Sequence, residues 1–211
     1  MDFPRWEPVY EQILSDMGYS REDDENSVRI LKAVTLNSDL RMGDEAAELL
    51  GEPVTICGAA PCLESDIQTK GASGTIIATG SAVGRCMACG LMPDLVFTDL
   101  DGDIDPQMDA SSKGAFTFIH AHGDNSDLIM RYAPLFKGPV VLTTQSTPEL
   151  TVFNYGGFTD GDRAYCFARH FGVRDIRLLG FDYDNPIPKD GSDLDIKKRK
   201  LSWAKRIIST N

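Results

Sequence analysis

From Pro53 onward, short apolar runs rich in β-branched residues alternate with helix-length stretches, and this alternation constrains the fold more than any other feature of the chain. Repeated strand–helix–strand units place their strands side by side in a parallel sheet with helices on its faces. The runs predict strands at 54–57, 75–78, 95–98, 115–119, 140–144 and 176–179. Between and after them the pattern predicts helices at 63–69, 82–90, 126–136, 160–171 and 196–208. Residues 1–51 read instead as a helical extension: a helix at 7–17, a charged loop at 21–25 and a second helix over 27–50. The expected fold is therefore α/β and three-layered, with a mainly parallel, six-stranded Rossmann-like sheet. At 211 residues the chain is sized for one catalytic domain, with residues 52–211 forming the sheet core and the C-terminal helix. The loop 182–195, rich in Asp, Pro and Gly, reads as a lid.

Composition removes several function classes. The longest apolar runs are strand-sized, far below the roughly 20 residues of a membrane-spanning helix, and the mixed, acidic start lacks the pattern of a signal peptide. A cytoplasmic protein with no membrane partner is expected. The formal charge of −11 argues against nucleic acid as partner, because phosphate backbones are bound by basic surfaces. It leaves a nucleotide open, provided that a carboxylate-held Mg²⁺ reverses the local sign. Five cysteines make an odd count, so no disulfide framework is expected, and Cys86 and Cys89 read as free thiols on a helix rather than as a zinc or redox pair. A homodimer is allowed, though nothing in the sequence calls for one.

The segments that follow the predicted strands carry the chemistry. In a parallel sheet they share one rim, where open α/β folds bind ligands. Asp99, Asp101 and Asp103 follow the third strand at two-residue spacing. In an extended chain the three carboxylates face one way and repel unless a cation sits among them, so they are read as hard-metal ligands rather than as a solvated turn. A calcium loop fails, because Ile104 and Ala110 stand where Gly and Glu are required. Asp99-Leu100-Asp101-Gly102 also resembles the first motif of haloacid-dehalogenase phosphatases, although two strands precede it here.

After the next strand comes His120-Ala121-His122-Gly123-Asp124-Asn125. Alternation places His120 and His122 on one side, and Asp124 is positioned to reach the metal or, like Asn125, to cap the following helix. Further on, Tyr155-Gly156-Gly157-Phe158-Thr159-Asp160-Gly161-Asp162 supplies a tight bend and a helix start whose free backbone N–H groups suit a phosphate or a ring carbonyl. The only basic cluster is Lys197-Lys198-Arg199-Lys200. If the final helix docks across the acidic rim, Lys200 is the candidate to neutralise a transferring phosphoryl group.

These motifs, with Gly58-Ala59-Ala60-Pro61-Cys62-Leu63, Pro93-Asp94 and Thr144-Gln145, resemble in order those of the archaeal 6-hydroxymethyl-7,8-dihydropterin pyrophosphokinases, over roughly residues 53–203. The resemblance implies a fold like that of thiamine pyrophosphokinase catalytic domains. It also implies Mg²⁺-dependent transfer of the β,γ-diphosphate of ATP to a reduced pterin, with AMP leaving. On this reading Asp99, Asp101 and Asp124 hold the metal, and Asp101, Asp124, His122 and Lys200 carry the reaction. Gly58, Ala59, Pro61, Gly80 and Ser81 face the nucleotide. His120, Asn125, Gln145, Thr159, Asp160 and Asp162 face the pterin. The chain departs from the family pattern at Ala60 and Cys62, where Gly and Ser are expected, and at Thr79-Gly80, where Asp-Gly is expected. Two rival activities share the acidic motif: a haloacid-dehalogenase-like phosphatase and a nucleotide-sugar-dependent glycosyltransferase.

Overall fold

The structure, a computed structural model, describes residues 1–185 and 193–210. Residues 186–192 of the expected lid lie outside the described part. The sheet is parallel throughout. Its strands are β1 (Asp39–Leu40), β2 (Val54–Cys57), β3 (Thr75–Thr79), β4 (Leu95–Thr98), β5 (Phe116–Ala121), β6 (Pro139–Thr144) and β7 (Ile176–Leu179). They lie in the order β1-β6-β5-β4-β3-β2-β7.

Seven strands among the described residues correct the expected six. The additional strand is β1, two exposed residues within the segment read as helical, paired with Pro139 and Val140 through its backbone. That segment also divides differently. Helix α1 is Phe3–Met17, α2 is Arg21–Val34, and α3 is the short Gly43–Ala47. The Arg21–Glu25 cluster is thus the first turn of α2, with Glu22, Asp23 and Asp24 beside the positive end of the helix dipole. The long helix expected over 27–50 stops at Val34.

Chain direction fixes which face each helix covers. From β2 to β6 every strand is laid beside the one before it, so the right-handed crossovers α4 (Leu63–Lys70), α5 (Ala82–Ala88), α6 (Asp105–Ser112) and α7 (Ser126–Tyr132) fall on one face. The return from β6 to the far edge at β7 runs the other way, and its helix, α8 (Asp160–His170), covers the opposite face. There Phe97 and Phe118 stack at 4.2 Å between centroids, and Phe167 of α8 meets Phe118 edge-on at 4.7 Å. Burying each such ring contributes about 1.5–3 kcal/mol. Outside α8, Trp6, Tyr10 and Ile13 of α1 join Phe158, Cys166 and Ile207 in a separate cluster, the last from α9 (Leu194–Thr210). No described helix is long and apolar enough to cross a membrane.

The switch in direction puts β2 between β3 and β7, and the loops that leave β2 and β7 meet above it. The Ala60 amide donates to the Gly180 carbonyl at 3.0 Å, and a Cβ at Gly58 would lie only 2.7 Å from the same oxygen. Open α/β sheets present their ligand crevice at such a reversal.

Candidate active site

A cleft of about 980 Å³ opens along the carboxyl ends of the strands. Its β2 and β7 end is formed by Gly58, Ala59, Pro61, Phe181 and Tyr183. Gly80, Ser81, Asp99 and Asp101 line its middle, and His122, Asp124, Gln145, Thr159 and Asp160 its β5 and β6 end. Helix α9 crosses above with Lys197, Lys200 and Leu201.

The acidic centre is built by an unusual backbone. Leu100 adopts a left-handed conformation, φ 67°, the only non-glycine residue with positive φ among those described. Its amide donates to Thr98 Oγ1 at 2.8 Å and its side chain is 1% exposed in the apolar core. The conformation costs about 1–2 kcal/mol, offset by burying the leucine. Its effect is to turn both Asp99 and Asp101 to the cleft. The expectation of an extended chain with three carboxylates on one side is thereby corrected: Asp103 is exposed and does not line the cleft.

Asp99 Oδ2 lies 3.5 Å from His122 Nε2, and the Asp124 amide donates to His122 Nδ1 at 3.3 Å, which orients the ring. Burial by itself would raise the Asp99 carboxyl. The hydrogen bond and charge of His122, the charge of Arg163 and the Asp101 amide outweigh it, and hold Asp99 well below the usual carboxylate range. Facing Asp101 across Gly80 is Asp160, which accepts from Arg163 Nη1 at 2.9 Å. A Cβ placed at Gly80 would lie 3.1 Å from Asp160 Oδ2 and 4.0 Å from Asp101 Oδ1, so the two carboxylates flank that one point.

Three of the expected contact residues sit elsewhere. His120 points from β5 toward α8, on the side of Phe118, and is 3% exposed. Thr143 Oγ1 donates to the Ile119 carbonyl and so accepts from His120 Nδ1 at 3.1 Å. Burial, with the charges of Arg163 and His122, keeps His120 neutral. Asn125 stands at the start of α7, where its amide nitrogen donates to the Asp99 and His120 carbonyls at 2.8 and 2.7 Å and its oxygen accepts from the His122 amide at 3.0 Å. It joins the ends of β4 and β5 rather than facing the cleft. Asp162 is fully buried and accepts from the Phe158 and Thr159 amides at 2.6 and 2.8 Å and from the Thr159 hydroxyl. It is the partner of Thr159 in the box that starts α8. The Thr-x-x-Asp spacing announces that role in the sequence itself.

Other cleft residues escaped the sequence reading. Tyr19, between α1 and α2, and Phe158 line it together, with Lys200 Nζ 5.8 and 5.9 Å from their ring centroids. Arg85 reaches from α5 to donate to the Ala59 and Ala60 carbonyls at 2.8 and 3.1 Å while its Nε donates to Glu64 at 2.6 Å. Arg85 lies inside the helix singled out for its cysteines; Cys86 is buried in that helix, and Cys89, exposed, caps its end rather than continuing it.

The donor set suits a hard cation. Carboxylate oxygens of Asp99, Asp101 and Asp124 line one cleft, and Mg²⁺ is commonly held by one or two carboxylates together with substrate phosphates and water. Among the described residues no three His, Cys, Asp or Glu side chains are grouped so as to hold an ion by themselves.

The family described as "6-hydroxymethylpterin diphosphokinase MptE-like" matches residues 29–187. Three curated proteins, each named 6-hydroxymethyl-7,8-dihydropterin pyrophosphokinase, are similar over 99% of this chain. That of Pyrococcus furiosus is 39% identical with 93% of its own length covered. Those of Methanothermobacter thermautotrophicus and Methanocaldococcus jannaschii are 33% and 30% identical, with 94% and 95% covered.

Proposed function

The chain belongs to the 6-hydroxymethylpterin diphosphokinase MptE-like family, and from that membership we propose that it transfers diphosphate from ATP to 6-hydroxymethyl-7,8-dihydropterin and releases AMP. The observation that carries this reading is the floor of the cleft: carboxylates of Asp101 and Asp160 on either side of Gly80, with Asp99 and Lys200 in the same cleft and a glycine-containing loop at one end. A negative floor of this kind repels a polyphosphate alone and accepts it with a divalent cation.

The nucleotide occupies the β2 and β7 end. There the 58–61 loop is fixed by Arg85, and Phe181 and Tyr183 offer aromatic faces. The pterin occupies the other end, beside Gln145, Phe158 and Asp160. Asp99, Asp101 and Asp124 would hold Mg²⁺, which neutralises phosphate charge when bound. The hydroxymethyl oxygen forms its bond to the β-phosphorus as the bond from that phosphorus to the bridging oxygen of AMP breaks. The hydroxyl proton goes to the Asp99–His122 pair. Lys200 draws off charge from the transferring group as a point cation. Positioning and charge neutralisation account for most of the acceleration in reactions of this class.

The parallel sheet with helices on both faces is compatible with a thiamine pyrophosphokinase-like arrangement. Residues 1–211 act as one catalytic unit, as the presence of Tyr19 in the cleft supports. It works in the cytoplasm on small molecules, without nucleic acid or membrane. The test is AMP release from ATP in the presence of the reduced pterin: Asp101→Asn should abolish it while the circular dichroism spectrum stays unchanged. Ordinary turnover in that variant removes Asp101 from the reaction.

A further inference from the structure

The N-terminal helices contribute a buried carboxylate that the proposed reaction has not used. Asp24, in the first turn of α2, is 2% exposed and does not line the cleft. Its Oδ1 accepts from the Gly123 amide at 2.7 Å, and its Oδ2 from Gln145 Nε2 at 2.9 Å and Tyr10 Oη at 2.5 Å. Three donors converge on one buried carboxylate; one of them, Gln145, lines the cleft, and another, Gly123, joins two residues that do. Gly123 lies between His122 and Asp124. It approaches α2 so closely that a Cβ there would fall 2.8 Å from Asp23 Cβ.

We infer that Asp24 is a positioning residue: acting through the Gly123 amide and the Gln145 side chain, it sets the His122–Asp124 segment and the β6 end of the cleft from outside. The inference rests on the proposed diphosphate transfer. The His122–Asp124 segment is held from two sides. Asn125 ties it to the ends of β4 and β5, and Asp24 ties it to α2. The Ser27 and Ser126 hydroxyls, 2.7 Å apart, continue the second attachment one turn further along α2. Gln145 differs, because its backbone carbonyl is already fixed by Trp6 Nε1 at 2.7 Å and Asn154 Nδ2 at 2.9 Å. Only its side chain depends on Asp24. A carboxylate accepts and cannot donate, so Asp24 also decides which end of the Gln145 amide faces it. Tyr10 remains a donor, because burial and the adjacent Asp24 carboxylate both push its phenol up.

Two attachments with different dependents predict a split in the kinetics. Asp24→Ala frees the His122–Asp124 segment, and kcat should fall about tenfold or more. Asp24→Asn keeps an oxygen for Gly123 but turns an NH₂ toward Gln145, whose amide must flip. For this variant kcat should stay within roughly threefold of wild type while KM for the pterin rises roughly fivefold or more. Tyr10→Phe removes a donor to the same carboxylate without touching the cleft, and should leave both constants within about twofold. A readout that needs no turnover is the Gly123 amide proton, which should move upfield in both Asp24 variants and stay in place in Tyr10→Phe.

A folded Asp24→Ala protein with wild-type kcat overturns the inference. So does a loss in Tyr10→Phe equal to that in Asp24→Ala, which reduces Asp24 to a stability element. Should Asp24→Ala fail to fold, an unchanged pterin KM in Asp24→Asn overturns it. If wild type itself transfers no diphosphate, the proposed function falls and the Gly123 resonance decides the positioning role.

Discussion

Replacing Gly80 by alanine places one methyl group in the acidic floor, and the structure gives the size of both consequences. The first is conformational. Gly80 has φ +45°, in the left-handed region, where a side chain costs about 1–2 kcal/mol. For a chain of this length that is a fall in Tm of roughly 2–8 °C. The second is steric and local. The methyl carbon would lie 3.1 Å from Asp160 Oδ2, tighter than ordinary van der Waals contact, and Asp160 is held on its other side by Arg163. It would also narrow the gap between Asp160 and Asp101 through which a metal-bound polyphosphate must pass. A displacement of reacting groups of about 1 Å costs on the order of 10²-fold in rate, and kcat/KM should fall by about that factor. Thermal melting and steady-state AMP release measured on the same preparation separate the effects. Wild-type kcat/KM with the lowered Tm would show that the phosphates do not lie over Gly80. An unchanged Tm would contradict the left-handed backbone assigned there.

Two further substitutions probe residues that the structure moves out of the cleft. Asp162→Ala leaves the Phe158 and Thr159 amides and the Thr159 hydroxyl without their buried acceptor. It should destabilise the protein by about 3–5 kcal/mol, and a urea midpoint that moves by less than 1 kcal/mol equivalent refutes the structural assignment. For His120 the folded pKa is lowered, so below its ordinary value of about 6.5 the unfolded chain takes up a proton that the folded protein refuses. Stability from this source is present above that pH and lost as pH falls. Stability should therefore fall as pH is lowered from 7.5 to 5.0, and His120→Gln should flatten that dependence. An identical pH dependence in the variant places His120 in contact with solvent.

How much of this was legible depends on how each residue signals itself. The buried strands announce themselves because all residues of β2, β3 and β4 are buried, which leaves near-continuous apolar runs in the sequence. Helix α6 leaves no such trace: its buried residues are Gln107, Ala110 and Ser111, so the apolar periodicity is missing. The strand β1 is two exposed residues held by backbone pairing, and pairing is invisible in composition. The left-handed Leu100 could not be expected from propensity, because the core that compensates it is assembled from distant segments. Asp99, Asp101, His122 and Asp124 were legible because position after a parallel strand determines the rim. His120 was legible in principle, since alternation from the core residue Phe118 puts it inside. Asp24 gave no sign, because a charged first turn reads as solvated until the partners that bury it are known.

The central claim is that the carboxylates beyond β4 and β5 serve transfer of an intact diphosphate. The most direct measurement follows the label of ATP radiolabelled in its γ-phosphate, with Mg²⁺ and the reduced pterin present. Label should enter a pterin diphosphate in amounts equal to the AMP formed. Label released as inorganic phosphate with ADP remaining, whether or not the pterin is added, would contradict that claim.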